Sequence, residues 1–211
     1  MFDSVQDVVR DVADGKFVIV LDDEDRENEG DLICAASTIT TEQMAWFIKH
    51  TSGFICISLT PERLAELDIP MMVPNNTEKH KTAYTVTVDY KNGTTTGISA
   101  HDRALTARML ADPALGAKGE DFSRPGHLNP LRYTSGGVQV RFGHTEAAVD
   151  LCKAASLPPA GLLCELVDPN DPKGGIAARD ACLAFAREHG LKVTTIEQLR
   201  KWQNEAGMPQ V

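Results

Sequence analysis

The sequence lacks the cysteine pattern of a disulfide framework or a zinc site. Its five cysteines are an odd number, and none belongs to a CxxC pair; they are Cys34, Cys56, Cys152, Cys164 and Cys182. Such spacing is typical of reduced, mostly buried thiols in an intracellular protein. We therefore predict a cytoplasmic protein without structural disulfides.

Basic charge and long apolar runs are also scarce. Lysine and arginine together number 21 against 30 acidic residues, which gives a formal net charge of −9. This balance argues against nucleic acid or an anionic membrane surface as the main partner. No apolar segment approaches the roughly 20 residues that cross a bilayer, and residues 1–4 lack the basic and apolar regions of a secretory signal. We expect neither a nucleic-acid nor a membrane partner.

Internal repeats, low-complexity tracts and linker-like segments are absent as well. The 211 residues are enough to bury a sizeable core, so we predict one domain over residues 1–211. Helical and strand patterns follow one another in mixed order. This order favours an α+β fold, a single layered αβ domain around a mixed twisted sheet flanked by helices.

Hydrophobic periodicity, caps and turn residues predict the individual elements. Helices are expected over residues 4–14, 41–49, 60–69, 99–110 and 144–155, with one more ending near Gly190 and one beginning at Thr195. Strands are expected over residues 17–21, 32–36, 54–59, 82–89, 138–142, 162–167 and 192–194. Residues 71–81 form either a mobile loop or a lid. Residues 116–130, rich in glycine and proline, are expected to form a long connection.

The most informative segment is Asp22–Asp31, hereafter the acidic segment, which follows the apolar run Phe17–Leu21. Seven of its ten residues are carboxylates, which repel one another unless a positive group lies among them. Arg26, a polar substrate or a divalent cation such as Mg²⁺ would supply that charge. A solvated acidic loop is the alternative. Gly30 lies near the end of the segment, and a new apolar run begins at Leu32. We therefore predict that a hairpin-like turn between two strands holds the carboxylates.

A second candidate site is Arg141–Glu146, where a predicted strand turns at Gly143 into a helix. The free N–H groups and the positive dipole end of such a helix suit a phosphate. Arg141 adds a bidentate donor, and Thr145 adds a hydroxyl. An ordinary capped helix beside a surface arginine explains the same residues. His144 is either a metal ligand or a plain residue of the first turn.

Two single residues are candidates for proton transfer. His127 lies in Arg124–Pro130, where two prolines and a glycine restrict the backbone, and a fixed histidine suits acid–base work near neutral pH. A loop histidine bonded to the backbone is the commoner case. Glu165 is the lone carboxylate in the apolar run Leu162–Val167. It either faces outward from a half-exposed strand or is buried, in which case desolvation raises its pKa.

Five segments, taken in order, resemble the 3,4-dihydroxy-2-butanone 4-phosphate synthase family of riboflavin biosynthesis. They are Asp22–Asp31, Thr96–Ala100 with Asp102 and Arg103, Arg124–His127, Arg141–Glu146, and Cys164 with Glu165. The resemblance thus extends over most of the chain, and five ordered segments are far more specific than any one of them.

This resemblance implies a stand-alone, magnesium-dependent, homodimeric lyase, with Mn²⁺ as an alternative metal. Its substrate would be D-ribulose 5-phosphate, and its products would be L-3,4-dihydroxybutan-2-one 4-phosphate and formate. The resemblance implies Glu27 and His144 as metal ligands, and His127 and Glu165 as catalytic groups. The implied substrate-binding residues are Arg26, Glu27, Asp31, Arg141, Phe142, Gly143, His144, Thr145 and Glu165.

Two other functions fit part of the same pattern. A magnesium-dependent sugar-phosphate phosphatase or isomerase would use the same acidic segment and anion site, but it would release inorganic phosphate or a five-carbon isomer. An acidic cation-binding or protein-interaction module accounts for the acidic segment but leaves His127, Arg141 and Glu165 without a role. Release of formate separates the lyase from both alternatives.

Overall fold

The computed structural model describes residues 2–23 and 25–205, so Glu24 of the acidic segment lies outside the described residues. The helices are α1 (Val5–Ala13), α2 (Thr41–His50), α3 (Pro61–Glu66), α4 (Ala100–Ala111), α5 (His144–Ala154), α6 (Arg179–His189) and α7 (Ile196–Glu205). The strands are β1 (Val18–Leu21), β2 (Gly30–Ala35), β3 (Cys56–Leu59), β4 (Val88–Tyr90), β5 (Phe122–Arg132), β6 (Ala160–Glu165) and β7 (Lys192–Thr195). Within this part of the chain, no helix is both long and apolar enough to span a bilayer.

All seven strands join one mixed sheet in the order β4-β5-β3-β6-β2-β1-β7. Strand β6 lies at its centre, antiparallel to both β2 and β3. The pairs β1–β7 and β3–β5 are parallel, whereas β1–β2 and β4–β5 are antiparallel. The predicted α+β fold around a mixed sheet is therefore confirmed.

Helices cover both faces of the sheet, because alternate strand residues point to opposite sides. On one face, Ile19, Leu32 and Ile57 share a buried cluster with residues of α2, α3, α4 and α6. On the other face, Val20 and Ile33 share a second cluster with residues of α1, α5 and α7. The sheet is thus the middle of three layers, and residues on the second face at the ends of β1, β2 and β6 lie on the same side of the sheet as α5.

The helix starts follow the capping residues of the sequence. The side chains of Ser4, Thr40, Thr60 and Ser99 accept hydrogen bonds from the backbone N–H groups of the first turns of α1, α2, α3 and α4. Such bonds satisfy N–H groups that have no partner within the helix. The predicted beginnings of these four helices are confirmed.

Three predictions from the sequence were wrong. The connection expected over residues 116–130 contains most of the 11-residue strand β5, although Pro125 and Gly126 lie within it. The strand expected over residues 138–142 is absent, and a 3₁₀ turn over Gly137–Gln139 replaces it. The strand expected over residues 82–89 is confined to Val88–Tyr90, preceded by isolated bridges at Tyr84 and Thr85.

Candidate active site

The acidic segment forms the predicted hairpin turn between β1 and β2, whose last facing pair is Leu21 and Gly30. Asp22 organises this turn through the hydrogen bonds of its side chain, which is fully buried. Its carboxylate accepts hydrogen bonds from Arg26 Nη1 at 2.8 Å and from the backbone N–H groups of Glu27 and Glu29 at 3.0 Å each. Arg26 also forms an ion pair with the Glu27 carboxylate. One carboxylate thus holds the turn, and Glu27 is fixed beside a compensating cation.

His144, the first residue of α5, is held as one tautomer beneath this turn. Its Nε2 lies 3.1 Å from the carbonyl oxygen of Val20. A carbonyl only accepts hydrogen bonds, so the proton is on Nε2 and Nδ1 keeps its lone pair. Nδ1 lies 3.7 Å from Asp31 Oδ1 and 4.0 Å from Glu27 Oε2. Burial lowers the pKa of His144, which keeps the ring neutral and available as a ligand.

The carboxylates around His144 fit a divalent cation. Ligand atoms of Asp22, Glu27 and His144 lie within 4.8 Å of one another. Asp31 is 4% exposed, and its Oδ1 has no hydrogen-bond partner among the described residues. Burial, followed by the charges of Glu165 and Glu27, raises the pKa of Asp31 well above its ordinary value. A bound cation would supply the missing partner, and carboxylate oxygens with one imidazole suit Mg²⁺ or Mn²⁺.

Asp31 and Glu165 face each other across the two central strands. They are direct partners in the antiparallel pair β2–β6, so both side chains point to the same face of the sheet. The hydroxyl group of Ser52 donates to Glu165 Oε2 at 2.7 Å. Glu165 is partly exposed. The sequence left open whether Glu165 faces outward or is buried. Because Glu165 faces the cleft beside other carboxylates, neither description fits it fully.

These groups line a cleft of about 480 Å³, a volume that includes solvent at its open mouth. It is lined by Arg26, Glu27, Glu29, Asp31, Cys56, Thr82, Tyr84, Leu131, Arg141, His144, Thr145, Leu163, Cys164 and Glu165. The lining contains carboxylates, which suit a cation, as well as Arg141 and residues of the first turn of α5, which suit an anion. One cleft therefore offers groups for both kinds of ligand.

Arg141 is fixed over the start of α5. Its Nη1 donates to Glu146 Oε2 at 2.6 Å, and its Nη2 donates to the His80 carbonyl at 3.2 Å and to Thr82 Oγ1 at 3.1 Å. The N-cap of α5 is Gly143, which has no side chain that could cap the helix. A Cβ atom at Gly143 would collide with the Arg141 guanidinium. The glycine thus permits a close approach between the guanidinium and the helix N-terminus.

The structure brings together most, but not all, of the predicted site residues. Seven line the cleft: Arg26, Glu27, Asp31, Arg141, His144, Thr145 and Glu165. Gly143 lies at the N-cap of α5. The Phe142 side chain is 48% exposed and packs under the Arg200 guanidinium, 3.7 Å from the ring centroid. His127 lies on β5 outside the cleft lining, bonded to Asp89. The functional roles of all ten residues stay predictions.

Three residues with important contacts were not singled out from the sequence. Asp22 was counted only as one more carboxylate, although an aspartate directly after a strand is a frequent acceptor for turn N–H groups. Ser52 and Asp89 gave no local signal, because their partners Glu165 and His127 are 113 and 38 residues away. Such pairs depend on strand pairing, which the local sequence pattern does not specify.

Comparison with known proteins gives consistent matches over the whole cleft. The family model for 3,4-dihydroxy-2-butanone 4-phosphate synthase matches residues 6–202. The chain is 58% identical over 203 residues to the 3,4-dihydroxy-2-butanone 4-phosphate synthase of Schizosaccharomyces pombe, with 96% of this chain and 98% of the relative covered. It is 49% identical over 199 residues to the Candida albicans protein of that name, with 94% and 96% covered.

A solved structure agrees with these matches. It is a crystal structure of 3,4-dihydroxy-2-butanone 4-phosphate synthase in complex with two magnesium ions, 50% identical in sequence, with a TM-score of 0.92. The superposition covers 99% of this chain and 100% of the other. The likeness therefore includes every element that builds the cleft.

Proposed function

Because this chain belongs to the 3,4-dihydroxy-2-butanone 4-phosphate synthase family, we propose that it is a lyase of riboflavin biosynthesis. It converts D-ribulose 5-phosphate to L-3,4-dihydroxybutan-2-one 4-phosphate and formate. The observation that carries this proposal is the single cleft that combines Glu27, His144, Asp31 and Glu165 with Arg141. The products together contain all atoms of the substrate, so the reaction needs no oxidant, reductant or co-substrate.

Different residues of the cleft bind different parts of the substrate. Arg141 and the N–H groups of the first turn of α5 bind the phosphate, because both present donors to an anion. Arg26 and Asp31 contact the sugar hydroxyl groups. With the C5 phosphate at Arg141, the remaining carbons C1–C4 extend toward the carboxylates that line the same cleft.

Glu27 and His144 would hold magnesium, for which Mn²⁺ is an alternative. When bound, such an ion polarises carbonyl oxygens and acidifies the hydroxyl groups that it contacts. His144 contributes through its Nδ1 lone pair, because the Val20 carbonyl keeps the proton on Nε2. The unpartnered Oδ1 of Asp31 lies next to this position.

Proton transfers are assigned to Glu165 and His127. Glu165 faces the cleft, and the Ser52 hydroxyl orients one of its oxygens. That bond leaves the other oxygen, Oε1, available for a substrate proton. The carboxylates of Glu165 and Asp31 are register partners on adjacent strands, so a charge change on one is felt directly by the other.

His127 reaches a cleft within a homodimer, in which two copies share their sites. Its side chain is 42% exposed and lies outside the cleft of its own chain. Exposed apolar side chains such as Phe54, at 49%, lie near the cleft, since Phe54 contacts Tyr84. Light scattering on the purified chain measures the oligomeric state.

A cytoplasmic location agrees with five free, buried cysteines. The net charge of −9 disfavours nucleic acid as a partner.

Formate production tests the proposed reaction. The EDTA-treated protein is incubated with D-ribulose 5-phosphate, with and without Mg²⁺, and formate and the four-carbon ketone phosphate are measured. We expect metal-dependent release of both products. Glu165→Gln should abolish it while the protein stays folded, whereas Glu188→Gln, on the exposed surface of α6, should not. Inorganic phosphate or a five-carbon isomer as the product would contradict the proposal and favour a phosphatase or an isomerase.

A further inference from the structure

The Asp89 carboxylate binds His127 at two points. On β4, Asp89 Oδ1 accepts the backbone N–H of His127 at 2.8 Å, and Oδ2 lies 2.6 Å from His127 Nδ1. The Asp89 side chain is 11% exposed, whereas the His127 side chain is 42% exposed. The two residues thus form a pair with a buried carboxylate and an accessible imidazole.

This geometry selects one form of the imidazole. An ionised carboxylate only accepts hydrogen bonds, so Nδ1 carries the hydrogen and Nε2 keeps its lone pair. We propose that Asp89 is a positioning residue for catalysis, which fixes His127 as the Nδ1–H tautomer and leaves Nε2 as the proton acceptor. This inference rests on the proposed function, because it takes His127 as a catalytic group.

The surroundings hold the pair in place. Gly97 has a φ of +96°, and a Cβ atom there would collide with the Asp89 carboxylate and lie 2.7 Å from His127 Nδ1. The backbone N–H of Gly97 is itself fixed by Asp102 at 2.9 Å. Arg103, which is 6% exposed on α4, attracts Asp89 electrostatically. The carboxylate therefore has a cation nearby, and a turn that prevents it from moving away.

The second hydrogen bond makes Asp89→Asn an unusually specific test. Asparagine has one acceptor oxygen, and the backbone N–H of His127 requires an acceptor. With the oxygen at that position, the NH₂ group faces Nδ1 and donates to it, which moves the ring hydrogen to Nε2. The variant is isosteric but inverts the tautomer, so it should remove the basic nitrogen without removing the histidine. Inversion of this kind strongly impairs general-base function even where the geometry is intact.

The experiment combines kinetics with ¹⁵N NMR of the imidazole rings in the full-length protein. We expect Asp89→Asn to lower kcat by roughly 100-fold or more with little change in KM, because the substrate-binding residues are untouched. Asp121→Asn, which removes the same charge near the start of β5, should keep wild-type kcat. The His127 ring, assigned by its loss in His127→Gln, should show the Nδ1–H tautomer in the wild type and the Nε2–H tautomer in Asp89→Asn.

Wild-type kcat in Asp89→Asn, or in His127→Gln, would overturn the inference. So would a neutral Nε2–H tautomer in the wild-type spectrum, which needs no variant and stays decisive if Asp89→Asn does not fold. Absence of formate from the folded, magnesium-loaded wild type would instead refute the proposed function. The two failures are therefore distinguishable.

Discussion

Replacing Asp31 by asparagine should make the metal-free protein more stable and inactive. Asp31 is buried, and one of its oxygens has no hydrogen-bond partner among the described residues. Its pKa is raised above 3.8 by burial and by Glu165 and Glu27, so the folded protein holds its proton more tightly than the unfolded chain. As the pH rises above 3.8, the unfolded chain loses this proton more readily than the folded protein does. The free energy of unfolding therefore falls.

Asparagine also carries two polar atoms, so the gain comes from removing the buried charge, and leaving such a group unsatisfied costs about 1–3 kcal/mol or more. For a domain of this length, 1 kcal/mol corresponds to about 2–4 °C in Tm. We therefore expect Asp31→Asn to raise Tm by roughly 2–12 °C in EDTA at pH 7.5 by differential scanning calorimetry. The gain should shrink as the pH falls toward 3.8, because both states then protonate Asp31. It should also shrink with saturating Mg²⁺, since the cation relieves the same charge in the wild type.

Asp25→Asn is the matched control, because Asp25 lies exposed in the same turn. Its Tm should change by no more than about 2 °C, since surface substitutions have small effects. An equal gain in both variants would mean that the general repulsion of the acidic segment, and not the burial of Asp31, limits stability. A lower Tm in Asp31→Asn would refute the reasoning directly.

Two further predictions concern the metal and the first helix. Mg²⁺ at about 100 times its Kd should stabilise the EDTA-treated protein by about 2.7 kcal/mol. Thermal-shift titration should show that this gain is lost in Glu27→Gln but kept in Glu188→Gln. An undiminished gain in Glu27→Gln would mean that Glu27 is not a metal ligand. Ser4→Ala removes the N-cap bond of α1 to Asp7 and should lower the free energy of unfolding by about 1 kcal/mol, with kcat unchanged; an unaltered Tm would contradict the capping role.

The sequence predicted correctly those helices and strands whose hydrophobic pattern lies within the element itself. The periodic valines of α1 and the apolar runs of β1 and β6 agree with their buried positions. Strand β5 was missed because Pro125 and Gly126 normally interrupt strands. Here Gly126 lies where a Cβ atom would collide with the backbone of Val88, so the glycine is required by the β4–β5 pairing. That requirement is visible only once the neighbouring strand is known.

The opposite error occurred before α5. Val138, Val140 and Phe142 alternate as in a half-buried strand, but Val140 is 62% exposed and Phe142 packs on Arg200. Alternation predicts a strand only where a partner strand is available. At the site, the clustering of carboxylates was predictable from composition, whereas the bonds from Val20 to His144 and from Asp89 to His127 depend on tertiary contacts.

The position of the site within the strand order has a consequence for local unfolding. Asp31 and Glu165 lie on β2 and β6, inside the sheet, whereas Asp89 lies on the edge strand β4 and His127 on β5 next to it. Edge strands open at lower free energy than central ones, and amide hydrogen exchange reports that difference. Amides of β2 and β6 should therefore exchange only with global unfolding, and those of β4 and of the part of β5 that pairs with β4 should exchange earlier. Mild denaturant would then disable the imidazole before it disturbs the carboxylates, and activity would decline ahead of metal binding.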